Sequence, residues 1–146
     1  MPLYTYPIPA GELTLPVLIS LGATEAQLKI AAGQSLPALA WGTGVVDTGT
    51  TVTCVAGAIL RKLGTLPVLQ STSLTAVGQV PVNLYKVSLS IPAPGPATGP
   101  MLTRREMTVM EMTEVIPGVD ALIGLDILLD CKLHLDGPAR QFTLDF

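Results

Sequence analysis

Charged residues are scarce in this 146-residue sequence: Asp, Glu, Lys and Arg make up 13% of it, against an average of about 25%. The formal net charge is −3. Binding to nucleic acid or to an anionic membrane surface requires clustered Lys and Arg. The pairs Arg61-Lys62 and Arg104-Arg105 are too small for that and predict only solvated surface. We therefore expect neither nucleic acid nor membrane as a partner.

Histidine and cysteine are nearly absent as well. The sequence has a single histidine, His134, and two cysteines, Cys54 and Cys131, which is too few for a zinc site or a disulfide framework. We expect no metal and no cofactor, and we predict that both cysteines are buried free thiols. His134 lies in an alternating segment, LHLD, that places it on the solvent side.

No long hydrophobic run occurs, although the mean hydropathy is +0.55. No stretch approaches the 18 uninterrupted apolar residues that indicate a membrane-spanning helix. The first basic residue is Lys29, and no compact apolar block precedes it, so the pattern of a secretory signal is missing. The prediction is a soluble, cytoplasmic protein.

Residues that favour extended structure are plentiful: the sequence has 16 Thr, 13 Val and 8 Ile, together a quarter of the chain. Gly and Pro add 14 + 13 = 27 residues, which predicts many turns. We therefore predict a mainly β protein. The length fits one domain at roughly 100 to 200 residues per domain, and we assign residues 1–12 to an N-terminal extension and 13–146 to the domain.

Periodicity and turn residues divide the chain into elements. Pro16 should confine the first strand to an edge or a bulge, Thr24 should cap a short helix closed by Gly33, and Gly64 should end a second helix. A change of strand parity near residues 85 and 86 suggests a bulge. The predicted elements are strands or extended segments at 13–21, 38–46, 107–115 and 121–123, helical segments at 24–32, 52–63 and 126–130, a long hairpin at 66–91, a rigid loop at 92–100 and a hairpin from 131 to the end.

One motif stands out: Asp47-Thr48-Gly49-Thr50 follows two valines. Much later in the sequence, the apolar pair Leu122-Ile123 precedes Gly124. By itself an Asp-Thr-Gly sequence predicts an ordinary turn in which the Asp side chain bonds nearby backbone. The context is more informative. A buried strand leads into the Asp, a flexible hairpin follows, and a second apolar strand ends in glycine.

This combination resembles the retropepsin-like aspartic proteases, the single-domain relatives of pepsin. The matching segments are VVDTGTTVTCV at 45–55, the hairpin between 70 and 87, and ALIGLDILLDCKL at 121–133. The resemblance implies a closed β-barrel with one or two short helices and one half-site per subunit. Three features depart from the family: the helical insert at 24–32, Leu125 where many members carry Arg, and a hairpin with less glycine.

The resemblance also implies a chemistry. Two carboxylates about 3 Å apart share a proton and hold a water that one activates while the other protonates the substrate carbonyl. Because the sequence has one Asp-Thr-Gly, a working site requires a homodimer with one Asp47 from each subunit. The substrate would be an extended peptide or protein, with apolar side chains preferred.

Each residue of the turn receives a role from the resemblance. Thr48 would link the two turns across the dimer axis, and the Gly49 N–H would bond the Asp47 carboxylate. The Thr50 hydroxyl would add a second bond to that carboxylate. Gly124 would let its strand pass close behind the turn, although an ordinary strand-to-helix turn explains the glycine equally well.

Ile123 belongs to the same supporting strand. The hairpin would be a flap that closes over the substrate, with Thr72, Ser73, Thr75 and Gly78 as flap candidates in a mobile portion at 72–79; a static hairpin is the plainer interpretation. By resemblance, the terminal strand at 140–146 would contribute to the dimer seam.

Other functions stay open. A dimer of the same fold could bind peptides or assemble without catalysis, and the sequence Asp-x-Gly-Thr-Thr also occurs in phosphate-binding turns of larger, two-lobed proteins. Asp126 and Asp130 are four residues apart, but we predict that the first bonds nearby backbone and the second faces solvent. Met107, Met110 and Met112 are expected in a core or interface strand.

Overall fold

A computed structural model describes residues 3–94 and 101–146, so most of the predicted loop at 92–100 lies outside the described residues. In these residues the chain is mainly β, with three short helices. The elements are β1 Leu3–Pro7, β2 Thr14–Leu21, α1 Ala23–Ala31, β3 Ala40–Val46, β4 Cys54–Val55, α2 Gly57–Leu63, β5 Leu69–Thr75, β6 Gly78–Ile91, β7 Leu102–Glu111, β8 Ala121–Ile123, α3 Leu125–Leu128, β9 Lys132–Asp136 and β10 Gln141–Asp145.

A closed barrel forms the centre of the fold. Seven strands pair in the order β2-β3-β8-β4-β7-β6-β5, and β2 also pairs with β6. The six strands β2, β3, β8, β4, β7 and β6 therefore close into a barrel, and β5 lies outside it as an edge strand. Alternate side chains of β2, such as Val17 and Ile19, are fully buried in the barrel. The predicted mainly β, barrel-like fold is confirmed.

Pro16 lies where the sequence predicts that β2 can tolerate it. It pairs with Thr43 of β3, whereas β6 joins β2 only from Leu18 onwards. This part of β2 is thus flanked by one strand, so the missing proline N–H does not interrupt a ladder on both sides.

The first helix is present, but the predicted cap is wrong. The N-cap residue is Gly22, without a side-chain cap. The Thr24 hydroxyl instead donates to Glu106 Oε2 at 2.8 Å, and its N–H donates to Oε1 at 3.1 Å. Gly33 adopts a φ of 70° just after the helix, as a closing glycine should. No side chain of α1 is buried.

A second sheet joins the two ends of the described chain in the order β1-β10-β9. Residues 3–7, within the predicted N-terminal extension, form β1 and pair along their whole length with β10. Tyr6 and Phe142 are buried and their rings stack at 5.2 Å. Because β1 and β9 occupy both edges of β10, a strand from another molecule has no free edge of β10 to pair with.

A bulge interrupts the pairing of β6 with β7. Val87 pairs with Met107 and Leu89 pairs with Arg104, so three steps along β7 match two along β6. β7 also begins and ends earlier than the predicted strand at 107–115. The bulge lies close to the parity change seen in the sequence.

The two cysteines and the histidine differ in burial. Cys54 and Cys131 are both free; Cys54 is buried, but Cys131 is only half-buried, so its predicted burial is wrong. His134 is exposed, as predicted. Within residues 3–94 and 101–146, none of the helices has the length and apolar character needed to cross a membrane.

Candidate active site

The strand β3 carries the chain directly into Asp47. β3 runs parallel to β8, with Val46 opposite Ile123, and the Asp47 N–H donates to the Ile123 carbonyl at 2.9 Å. The turn is closed by the Gly49 N–H, which donates to Asp47 Oδ1 at 2.8 Å, the contact expected from the resemblance. Asp47 is half-buried and Thr48 is exposed, so both side chains are accessible from solvent at a turn that these hydrogen bonds hold in place.

The Thr50 hydroxyl does not reach Asp47. It donates to the Val52 carbonyl at 3.3 Å, so the predicted bond to the carboxylate is wrong in the single chain. The backbone of Thr50 has the supporting role instead: its N–H donates to the Asp47 carbonyl at 3.3 Å, and its carbonyl accepts from the Leu125 N–H at 2.9 Å.

Gly124 lies immediately behind the turn. A Cβ at this position would come within 2.9 Å of the Thr50 carbonyl oxygen and 3.0 Å of the Thr53 nitrogen. Both are backbone atoms that cannot move without shifting the turn. The glycine is therefore required by a close approach of two backbone segments, and not by the conformation of its own backbone.

Thr53 supports the turn, a role that the sequence does not predict. Its side chain is fully buried; its hydroxyl donates to Asp126 Oδ1 at 2.6 Å and accepts from the Gly124 N–H at 3.1 Å. The Thr53 N–H donates to Asp126 Oδ2 at 2.9 Å. Asp126 thus bonds a residue far away in sequence, and not nearby backbone as predicted. The available signal was a threonine inside the apolar run Val52–Val55.

A cleft of about 670 Å³ lies between this turn and the β5–β6 hairpin. Gly49 and Thr50 line it, whereas Asp47 is not among its lining residues. The lining is mixed, because hydroxyl and apolar residues contribute about equally. The hydroxyl residues are Thr50, Thr51, Ser71, Thr72, Ser73 and Thr108, the apolar ones are Val52, Leu74, Leu84, Met107 and Met110, and Arg104 and Asp126 are the charged ones.

Two apolar residues of the lining, Leu84 and Met110, belong to one row of paired residues across the sheet. Leu122 pairs with Cys54, Cys54 with Met110, and Met110 with Leu84, and directly paired residues point to the same face. A smaller hollow of about 180 Å³ is lined by Cys54, Met110 and Leu122 of this row. Burial raises the pKa of the Cys54 thiol, which keeps it protonated and unreactive.

The β5–β6 hairpin covers the other side of the cleft. Of the four residues predicted from the flap resemblance, Thr72 and Ser73 line the cleft, whereas Thr75 and Gly78 flank the tip. There the Thr75 hydroxyl donates to the Gly78 carbonyl at 2.9 Å, and Gly78 has a φ of 111°. The side chain of Leu74 is 82% exposed.

The cleft ends beside α3. Arg104, predicted as plain solvated surface, lines the cleft and donates from Nη2 to Asp130 Oδ2. Asp130 is largely exposed, as predicted. Among the residues that the structure describes, no group of three His, Cys, Asp or Glu side chains is arranged to hold a metal ion.

The closed barrel, the Asp47 turn and the strand β8 inserted between β3 and β4 define a retropepsin-like fold. The chain superposes on the crystal structure of a retropepsin-like aspartic protease from Rickettsia conorii, with a TM-score of 0.59, 11% identity, and coverage of 98% of this chain and 90% of that one. The retroviral protease-like domain of Ddi1 from Leishmania major aligns with a TM-score of 0.48, 14% identity and coverage of 93% and 90%. The sequence matches no protein-family model and no curated protein.

Proposed function

We propose that this protein is an aspartic endopeptidase in which Asp47 supplies one half of a pair of catalytic carboxylates. The observation that carries the proposal is the position of Asp47 in a retropepsin-like fold: it follows β3, its carboxylate is held by the Gly49 N–H, and a peptide-sized cleft opens beside it.

The second carboxylate would come from Asp47 of a second copy. The described chain has one such turn, and Gly49 and Thr50 of that turn line the cleft. Thr48 is exposed at the same turn and would contact its equivalent across the two-fold axis. Because β10 has no free edge, the two copies would meet through other surfaces and not by adding a strand to β10.

The reaction would proceed through a water held between the two carboxylates. Like charges about 3 Å apart cannot both ionise, so one Asp47 stays protonated. The ionised Asp47 takes a proton from the water, which attacks the peptide carbonyl, and the protonated one donates to the carbonyl oxygen. The β5–β6 hairpin would act as a flap over the bound peptide, whose backbone would pair with the free edge of β5.

The first test compares the wild-type protein with Asp47→Asn on a fluorogenic peptide library between about pH 3 and 7. The variant keeps the size of the side chain but cannot act as a base, so cleavage should fall by at least about 10³-fold. A transition-state analogue of the pepstatin type should inhibit the wild-type protein. Cleavage that persists in Asp47→Asn would rule out the proposal.

A subunit-mixing measurement tests the shared site. When a fixed amount of wild-type protein exchanges subunits with an equal amount of Asp47→Asn, about half of the wild-type subunits should pair with an inactive copy. Activity should then fall to about half, and further with excess variant, whereas an unrelated protein should have no effect. Undiminished activity would show that each chain works alone. Peptide binding by wild-type protein without any cleavage would instead favour a non-catalytic binding module.

A further inference from the structure

Two charged side chains line the cleft, and only one of them has its hydrogen bonds filled. Asp126 accepts a bond on each carboxylate oxygen from Thr53. Arg104 carries five N–H donors, and to the described residues it makes one hydrogen bond, from Nη2 to Asp130. The end of the cleft beside α3 therefore presents a cation with most of its donors unused.

A bulge in β7 lies beside this cation. Val87 pairs with Met107 and Leu89 pairs with Arg104, so β7 has one extra residue between them. Arg104, Met107, Thr108 and Met110 all line the cleft, so β7 contributes side chains from both faces of its alternation. Bulges are common beside active sites.

We propose that Arg104 is a specificity-determining residue that binds a carboxylate of the substrate, so that the preferred peptides carry an Asp or Glu side chain on the part that lies beside α3. This inference rests on the proposed peptidase function. A guanidinium binds a carboxylate through two parallel, charge-assisted hydrogen bonds. A neutral Gln or Asn side chain in the substrate would form weaker hydrogen bonds with it.

The neighbouring carboxylates do not cancel the effect. The side chain of Asp130 is 63% exposed, so water screens its charge and its pair with Arg104 is weak. The oxygens of Asp126 are turned to Thr53. The Arg104 side chain is 33% exposed, and a bound peptide would remove more water from it and strengthen its attraction to a substrate carboxylate.

The test uses pairs of peptides that differ only by Glu or Gln, placed at each position around one cleaved bond. At one position the wild-type protein should cleave the Glu peptide with a kcat/KM about tenfold higher. Arg104→Gln should remove the preference by slowing only the Glu peptide, and Arg104→Lys should keep part of it. Arg105→Gln is the matched control, because Arg105 is exposed and lies outside the cleft. Asp130→Asn should increase the preference by releasing Arg104.

Binding separates this proposal from the peptidase function. Asp47→Asn, which should not cleave, can be titrated with the same labelled peptides by fluorescence anisotropy, with and without Arg104→Gln. A Glu preference lost with Arg104→Gln supports the role of Arg104 even if no cleavage is seen. The role of Arg104 is overturned if there is no Glu preference, or if the preference survives in a folded Arg104→Gln variant. The peptidase function is then still tested separately, by the comparison of wild-type protein with Asp47→Asn.

Discussion

The two sides of the cleft are built in opposite ways. On one side, the turn at Asp47 rests on fully buried residues, Thr53 and Ile123, and is held by hydrogen bonds between segments far apart in sequence. On the other side, β5 is an edge strand, and its side chains are mostly exposed. The bond at the hairpin tip, from Thr75 to Gly78, is local.

This difference matches two requirements of the proposed mechanism. Catalytic groups must be fixed within a fraction of an ångström, which requires buried and hydrogen-bonded support. A cover over an extended peptide must open and close, and segments with few buried contacts open at the lowest free energy. Substitutions on the turn side should therefore change stability, whereas those on the hairpin side should change substrate binding.

Gly124→Ala should produce the largest effect. The added Cβ meets backbone atoms of Thr50 and Thr53 at 2.9 and 3.0 Å, so the turn must shift, and we expect a loss of about 3 kcal/mol in the free energy of unfolding together with most of the activity. Gly78→Ala in the hairpin meets no atom within 4 Å and is strained only by its φ of 111°, which should cost about 1 kcal/mol.

Urea unfolding of both variants measures this contrast. Gly137→Ala is the control, because its added Cβ meets nothing within 4 Å and its φ is not positive; it should be neutral. Equal losses for Gly124→Ala and Gly78→Ala would contradict the distinction between a tightly packed turn and an open hairpin.

Thr53→Val should have the next largest effect. The substitution keeps the shape of the side chain but removes the hydroxyl that bonds Asp126 and Gly124, and it leaves a buried N–H without its partner. We expect a loss of about 2 kcal/mol. Thr72→Val, on the exposed hairpin strand, should change stability by less than about 0.5 kcal/mol. Chemical denaturation of the pair gives the difference, and a neutral Thr53→Val would show that the turn does not depend on this bond.

The two sides should also differ in their response to alkaline pH. Burial raises the pKa of the Cys54 thiol in the folded protein, so the unfolded chain loses this proton first. The contribution of this thiol to the free energy of unfolding is complete below the unfolded pKa of about 8.5, and it declines as the pH rises above that value. Cys54→Ala should make the decline above pH 8.5 less steep, by at most about 1.4 kcal/mol per pH unit.

The hairpin offers the matching control for pH. From Leu69 to Asn83 the sequence contains no ionisable side chain, so hydrogen exchange of its amides, corrected for intrinsic rates, should give the same opening free energy at pH 7 and pH 9. A pH-dependent opening of the hairpin, or an unchanged slope in Cys54→Ala, would show that the thiol is not the source of the difference.

The sequence predicts the parts of this site that depend on local signals. The valines before Asp47, the Asp-Thr-Gly turn and the apolar strand before Gly124 are all readable from neighbouring residues. Thr53 and Arg104 could not be assigned, because their roles depend on contacts with residues far along the chain, Thr53 with Asp126 and Arg104 with Asp130. The pairing of β1 is equally unreadable from neighbouring residues, since its partner β10 lies far along the sequence.

Leu74→Ser should have the smallest effect on stability and test the hairpin most directly. Leu74 lines the cleft, yet its side chain is 82% exposed, so the free energy of unfolding should change by less than about 0.5 kcal/mol. If the hairpin closes over the substrate, Leu74 becomes buried against the peptide, and its loss should raise KM about fivefold or more. Leu69→Ser is the matched control, because Leu69 lies on the same strand, is 61% exposed and does not line the cleft. Equal KM values for Leu74→Ser and Leu69→Ser would mean that the hairpin does not close on the peptide and that the contrast between the two sides is one of stability alone.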